Sequence, residues 1–189
     1  MNKIHHLKTH FFKVFFLSAI IICSSSCKRI NPIEKTLKNQ SFAINEKEKT
    51  EVFFFISTTN LSKGIISKSQ IAQQKSSDVI VKQLSQRIEF KETQLLNEIT
   101  RMANLKLIVI TEINAMHKID LYNLTDAKAN DFNDIYLNAT KEALDDQIEL
   151  FESISRETND KKILELVLRY LPEQYKLLRE TERLRKQNV

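Results

Sequence analysis

The sequence predicts an all-α protein whose four long helices form a four-helix bundle, with a short crossover segment between helices two and three. Three observations predict this fold. The 189 residues include one glycine and two prolines, which favours long helices over turn-rich sheets. Hydrophobic residues recur at helical spacing in four segments, so each helix has an apolar face that another must cover. The part that follows the leader, about 140 residues, is long enough to bury a core without disulfides or metal.

The N-terminal leader has the pattern of a secretory signal peptide. Residues 1–13 carry three lysines, and residues 14–22 are apolar. That apolar run is too short for a transmembrane helix, which needs roughly twenty residues. A basic segment, a short apolar core and then small residues are typical of signal peptides. The sequence therefore predicts a signal peptide over residues 1–26.

Cys27 is the predicted lipidation site. Three serines at 24–26 precede it, a pattern that resembles the lipobox of bacterial lipoproteins, whose cysteine is diacylated and becomes the mature N-terminus. Cys23 matches less well, because two isoleucines precede it. The alternative is a plain signal peptide cut near Ser26. That cut would leave a free thiol, which is unusual in an oxidising compartment.

Two further segments complete the predicted organisation. Residues 27–49 are polar and charged, which predicts a lipidated N-terminus followed by a flexible tether. Residues 50–187 are predicted to form the helical bundle domain. Its first helix is expected over residues 52–76. The run from Phe53 to Ile56 would also suit a strand, but apolar residues keep helical spacing along the rest of the segment.

The second helix is predicted over residues 78–104, with Ser77 as its N-cap. Its apolar face is formed by Val81, Leu84, Ile88, Leu95, Ile99 and Met102. Residues 105–113 are apolar and β-branched, and they suit either an extended link or a continuation of the helix. Periodicity does not decide between the two for so short a run.

The third and fourth helices close the predicted bundle. Helix three follows a cap at Thr125 and Asp126 and ends near residue 157. It has the most regular apolar face, formed by Phe132, Tyr136, Ala139, Ala143, Leu150 and Ile154. Helix four is expected over residues 161–186. Because all four helices carry such faces, the interior is expected to be apolar rather than lined by ligands.

The charge balance argues against nucleic acid as a partner. The formal net charge is +5, but three of the 29 basic residues lie in the leader and 24 residues are acidic. The chain without its leader is therefore close to neutral. Acidic residues also interrupt every cluster of lysine and arginine, whereas nucleic-acid binding needs a basic face with stacking aromatic residues.

No catalytic or cofactor-binding constellation is predicted. One glycine cannot build a phosphate-binding loop, and the Glu-x-x-His pairs of di-iron bundles do not occur in the sequence. The single histidine beyond the leader, His117, falls in the crossover. A row of acidic residues on helix three is interpreted as a solvated face rather than as a cation-binding edge. These residues are Glu142, Asp145, Asp146, Glu149 and Glu152.

Four short motifs stand in the order typical of a family of uncharacterised bacterial envelope proteins. They are VKQL at 81–84, FxxxY at 132–136, FE at 151–152 and LP at 171–172. Over residues 50–185 the chain resembles this family of predicted outer membrane proteins, which share a domain of unknown function, family 4142. The resemblance implies a ferritin-like version of the four-helix bundle.

The resemblance also implies where a polar cluster would have formed. Family members carry histidines on helices two, three and four, at positions that correspond here to Glu92, Leu144 and Leu177. Their acidic position on helix one falls near residues 65–67. With the family's histidines replaced, Glu92 is the one candidate metal ligand that is left. Because a single carboxylate is not a site, we expect no metal and no cofactor.

The sequence therefore predicts a lipid-anchored cell-envelope protein on the periplasmic side of the outer membrane. It is expected not to be an enzyme and to have a binding or structural role. Its partners would be the membrane, through the lipid anchor, and another envelope protein. The alternative is a ferritin-like metal-binding or redox protein that uses bundle carboxylates such as Glu92.

Overall fold

The computed structural model describes residues 46–111 and 121–187, and every regular element in these two ranges is helical. This confirms the all-α prediction. The four long helices are α1 (Glu46–Lys75), α2 (Val79–Leu105), α3 (Ala129–Glu157) and α4 (Lys161–Gln187). Residues 121–126 form one more short helical stretch. The start of α1 lies inside the segment predicted as the tether, whereas the predicted signal peptide and Cys27 lie outside the described residues.

The phenylalanine-rich run near the start of α1 is helical rather than extended. Phe54 and Phe55 are buried, whereas Phe53 is exposed. Two adjacent residues of a helix point about 100° apart, so this buried pair faces two different neighbours. Phe54 packs edge-to-face on Phe151 of α3, with ring centroids 5.4 Å apart. The packing of the run against other helices thus determines that it is helical, although its local sequence would also suit a strand.

Aspartates cap α2 and α4. One carboxylate oxygen of Asp78 accepts the backbone N–H groups of Ile80 at 2.6 Å and Val81 at 3.3 Å. Asp160 accepts the N–H groups of the second and third residues after it in the same way. Such bonds satisfy donors that have no partner within the helix. The prediction that Ser77 caps α2 is wrong by one residue.

Neighbouring helices in the bundle are antiparallel. The α1 and α4 helices each contact both α2 and α3. Lys106 follows α2 directly. Its side-chain nitrogen lies 2.9 Å from a carboxylate oxygen of Glu51 in α1 and 2.6 Å from a carboxylate oxygen of Asp160, just before α4. We call this end of the bundle the proximal end. At the opposite, distal end, Lys75 of α1 donates to the backbone carbonyl of Ala127, just before α3. The α1 and α4 helices therefore run away from the proximal end, and α2 and α3 run towards it.

The connection between α2 and α3 joins opposite ends of the bundle. Near its start, the carbonyl of Thr111 accepts a hydrogen bond of 3.0 Å from the Asn60 side chain of α1. Near its end, the carbonyl of Thr125 accepts from Lys75 at 2.5 Å. Both described parts of the crossover thus lie along α1, and the crossover is longer than predicted. The N-cap of α3 is Lys128, so the cap predicted at Thr125 and Asp126 is wrong.

The core consists of two apolar clusters, one towards each end. The distal cluster includes Ile65, Leu84 and Tyr136, and the proximal cluster includes Phe55 and Phe151. Buried polar side chains lie between the two clusters, at the middle of the helices. The expectation of an apolar interior is therefore wrong in the middle of the bundle. There, polar side chains from different helices form hydrogen bonds with one another, which offsets the cost of burying them.

The α2 helix ends in a Schellman motif with leucine at the position that glycine usually takes. The N–H of Ile108 donates to the carbonyl of Ala103 at 2.9 Å, and the N–H of Leu107 donates to that of Asn104 at 3.1 Å. Leu107 has a φ of 58°, in the left-handed region, where a Cβ atom is disfavoured. Its side chain is 90% exposed, so packing in the described bundle does not explain the choice of leucine.

Leu107→Gly is expected to raise the free energy of unfolding by about 1 kcal/mol, because glycine adopts a positive φ without the Cβ clash. The exposed leucine side chain has few contacts to lose. Urea unfolding, followed by the helical circular dichroism signal, measures the change. Leu105→Gly is the matched control, since it places glycine at the last residue of α2, where the backbone is still helical, and should lower stability. Equal destabilisation by both variants would contradict this description of the helix end.

Candidate functional site

Four buried polar side chains, one from each long helix, meet in the middle of the bundle. They are Ser62 of α1, Glu92 of α2, Gln147 of α3 and Gln174 of α4, and none of them is more than 1% exposed. We call this set the central polar layer. It lies between the distal and proximal apolar clusters, at the place where a helical bundle can hold a ligand or metal.

The two glutamines hold the Glu92 carboxyl group between them. The amide nitrogen of Gln147 donates to one carboxyl oxygen at 3.1 Å, and that of Gln174 donates to the other at 2.8 Å. The Gln147 nitrogen also lies 3.0 Å from the hydroxyl oxygen of Ser62, and Ser62 in turn forms a hydrogen bond with Glu92. The network thus joins all four helices through one carboxyl group.

Burial raises the pKa of Glu92 above its ordinary value, and the hydrogen bonds from Ser62, Gln174 and Gln147 lower it by a smaller amount. Each of these partners is neutral. Desolvation of a carboxylate is costly when no positive charge lies beside it. The layer therefore favours the protonated form of Glu92 more than water does.

The two glutamines carry the other unusual feature of the layer. Among the described residues, the buried side-chain oxygens of Gln147 and Gln174 have no hydrogen-bond partner. A buried acceptor without a partner costs free energy, and a carboxamide can present either its oxygen or its nitrogen at nearly the same position. Turning either amide over would therefore place its oxygen, instead of its nitrogen, beside the Glu92 carboxyl group.

The layer does not fit the two-metal centre of ferritin-like carboxylate proteins. Such centres take a glutamate from two helices and a Glu-x-x-His pair from the other two. Here one carboxyl group faces two carboxamides and a hydroxyl group. Within residues 46–111 and 121–187, no three His, Cys, Asp or Glu side chains are grouped so that they could hold a metal ion.

The positions inferred from the family resemblance fall in different surroundings. Glu92 lies in the central polar layer, whereas Leu144 and Leu177 belong to the distal apolar cluster together with Ile65. That family members carry histidine at the three helix positions stays a prediction. The polar partners of Glu92 lie three residues away from the predicted ones, at Gln147 and Gln174.

The acidic row of α3 lies on the outside of the bundle. Glu142, Asp146 and Glu149 are exposed, Asp145 forms an ion pair with Lys141, and Glu152 accepts a hydrogen bond from the Tyr175 hydroxyl. Asp146 nevertheless loses some of its hydration against the helix surface, which raises the pKa of its carboxyl group, and the neighbouring acids Glu149, Asp145 and Glu142 raise it further. These contacts agree with a solvated face. His117 lies outside the described residues.

The sequence patterns did not point to Ser62, Gln147 or Gln174. One signal was present, because Gln147 follows Ala143 by four residues and precedes Leu150 by three, which places it on the apolar face of its helix. A polar residue on an apolar face predicts a buried hydrogen bond or a site. Which polar residues meet across helices depends on the packing, and periodicity does not supply that information.

The raised pKa of Glu92 predicts a pH dependence of stability that Glu92→Gln should lack. The folded protein keeps a proton that the unfolded chain releases above a pKa of about 4.5. Stability should therefore fall as pH rises from that value to the higher folded-state pKa, by up to about 1.4 kcal/mol per pH unit. Urea unfolding of both proteins across this range gives the difference. Parallel pH profiles for the two proteins would contradict the expectation.

Comparison with known proteins identifies the family and nothing finer. No described helix is long and apolar enough to cross a membrane. Neither the curated proteins nor the solved structures include a match to the chain. The model of the DUF4142 family, described as a domain of unknown function, matches residues 46–184. The matched segment includes nearly all of the four long helices and the central polar layer. The chain therefore belongs to the DUF4142 family.

Proposed function

We propose that this protein is a lipid-anchored, non-catalytic component of the bacterial cell envelope, held at the periplasmic side of the outer membrane. Its bundle would have a binding or structural role. The leader supports the anchor, because a basic segment, a short apolar core and three serines precede Cys27. The family match begins at residue 46, so residues 28–45 are left as a link between the lipid and the bundle.

The proposed fold within the all-α class is the ferritin-like four-helix bundle. Three features support it: neighbouring helices are antiparallel, α2 and α3 run in the same direction, and a long crossover joins them. Contacts of α1 with Thr111 and Thr125 place the described parts of that crossover beside the bundle. A crossover between the second and third helices is the connection of ferritin-like folds.

The composition of the central polar layer is the observation that supports a non-catalytic role. Its four side chains offer one ionisable group, and the hydrogen bonds within the layer already join that group to all three neighbours. General acid–base or nucleophilic chemistry needs a reactive group that can reach a substrate. Glu92 is fully buried, and it links helices instead.

Cys27→Ser tests the anchor. The variant should fail to incorporate a labelled fatty acid and should leave the membrane fraction, because the acyl chains provide the attachment. Cys23→Ser is the matched control and should behave like the wild type. Fatty-acid labelling that persists in Cys27→Ser would contradict the lipid assignment.

The partnerless oxygens of Gln147 and Gln174 favour a second candidate, a metal-binding bundle. If both carboxamides turn over, their oxygens join the Glu92 carboxylate and the Ser62 hydroxyl in an all-oxygen set of the kind that hard cations prefer. Metal analysis of the full chain, purified without a chelator, separates the two functions. A stoichiometric metal ion in the purified protein would support the metal-binding function and contradict the structural role. A metal-free protein supports the structural role.

A further inference from the structure

The proximal end of the bundle exposes a group of large apolar side chains. Phe53 is 60% exposed, Leu105 68%, Leu107 90% and Val109 78%. We call these four residues the apolar tip. Exposed apolar residues are normal in proteins, and the distal end also exposes Val79, Ile80 and Tyr122. The proximal group differs because its Leu107 has a left-handed backbone conformation.

Two members of the apolar tip share a groove at the proximal end. Leu107 and Val109 line it with Val52 of α1, whereas Leu105 lines a different groove with Arg101. Phe53 follows Val52 along α1. The ion pair of Lys106 with Glu51 fixes the end of α2 beside the start of α1. The tip is thus formed where the first helix enters the bundle.

Leu107 is the most exposed member of the tip and the one in a disfavoured backbone conformation. Glycine would end α2 at this position without a Cβ clash. The Leu107 side chain is exposed to water and its backbone conformation is unfavourable for leucine. The described contacts therefore show no stabilisation of the bundle by this residue. Outliers of this kind point to a function outside the folded core.

We propose that the apolar tip docks onto the lipid bilayer that carries the acyl chains of Cys27. The inference rests on the proposed lipid anchor. The chain outside the bundle argues for this occupant, because α1 begins at the proximal end and residues 28–45 extend at most about 60 Å. The anchored bilayer is therefore always within reach of this end of the bundle.

Charges of both signs surround the apolar tip. Arg101, Lys161 and Lys162 are exposed at the proximal end, whereas Glu48 and Glu51 line the groove of Leu107 and Val109 together with Lys106. The basic side chains favour binding to bilayers that contain anionic lipids, and the acids oppose it. Docking in this orientation would direct the distal end, where α2 and α3 begin, away from the membrane.

A single engineered tryptophan can report the docking, because the chain has no tryptophan of its own. The full lipidated chain carrying Leu107→Trp is reconstituted in vesicles of phosphatidylethanolamine and phosphatidylglycerol with brominated acyl chains. Its emission should shift to the blue and be strongly quenched. Val109→Trp, at a second position of the tip, should give the same result if Leu107→Trp does not fold.

Ile80→Trp is the matched control, since Ile80 is an exposed apolar residue at the start of α2, on the distal end. Its emission should stay unquenched in the same vesicles. Vesicle flotation is measured on each sample. If the proteins float but the tryptophans of Leu107→Trp and Val109→Trp are not quenched, the docking proposal is wrong and the lipid anchor is still supported.

Two other outcomes also overturn the docking. Proteins that do not float overturn the lipid anchor and the docking with it. A blue shift that depends on protein concentration and occurs without lipid assigns the apolar tip to a second copy of the chain. Quenching of the tip variants alone, in floating protein, supports the proposal.

Discussion

Phe151→Ala is expected to lower the free energy of unfolding by about 3 to 5 kcal/mol. The Phe151 side chain is completely buried and packs edge-to-face on Phe54, so the substitution removes both buried area and an aromatic pair. It also leaves a cavity in the proximal cluster, between α1 and α3, which a bundle of long helices closes only in part. Urea unfolding of the two proteins measures the loss.

Phe90→Ala is the matched control for this substitution. Phe90 is 59% exposed on α2, so the same chemical change should alter stability by only about 0.5 kcal/mol. A small effect of Phe151→Ala, equal to that of Phe90→Ala, would contradict the packing of α1 against α3 described above.

Glu92→Ala is expected to destabilise the protein by about 2 to 4 kcal/mol. The truncation removes the acceptor of both glutamine side chains and leaves a cavity where four helices meet. Relief from burying a carboxyl group offsets part of this cost. Denaturant unfolding at neutral pH measures the sum of these effects.

Glu89→Ala provides the comparison on the same helix. Glu89 accepts hydrogen bonds from Gln70 and Gln73 at the margin of the bundle, so its loss should cost about 1 kcal/mol or less. If the two alanine variants were equally stable, the central polar layer would not be the structural link that its hydrogen bonds indicate.

The helical class and the family could be predicted from the sequence because both depend on local signals. Glycine and proline are scarce along the whole chain, and apolar residues recur at the period of a helix. The end of α2 was harder to predict. Glycine, the usual signal for a left-handed residue after a helix, is absent there, and Leu107 takes that conformation instead. The sequence therefore left residues 105–113 open between a link and a helix.

The candidate site could be predicted only in part, because its residues meet through tertiary packing. The family resemblance predicted Glu92 as the candidate ligand, and Glu92 does lie in the middle of the bundle. Gln147 and Gln174 belong to helices that are far from Glu92 along the chain, and each resembles a polar gap in an apolar face. Their side chains meet Glu92 only because the crossover and the antiparallel packing bring the four apolar faces together.

The most direct test of the central polar layer is the free energy of unfolding of Glu92→Gln at neutral pH, compared with that of the wild type. Glutamine keeps the shape of the side chain and removes the ionisable group. Its amide oxygen can accept from one of the two neighbouring glutamines, and its nitrogen can donate to the oxygen of the other once that amide has turned over. We predict that Glu92→Gln is at least as stable as the wild type. A loss of stability as large as that of Glu92→Ala would contradict this account, because it would show that the bundle needs the negative charge itself.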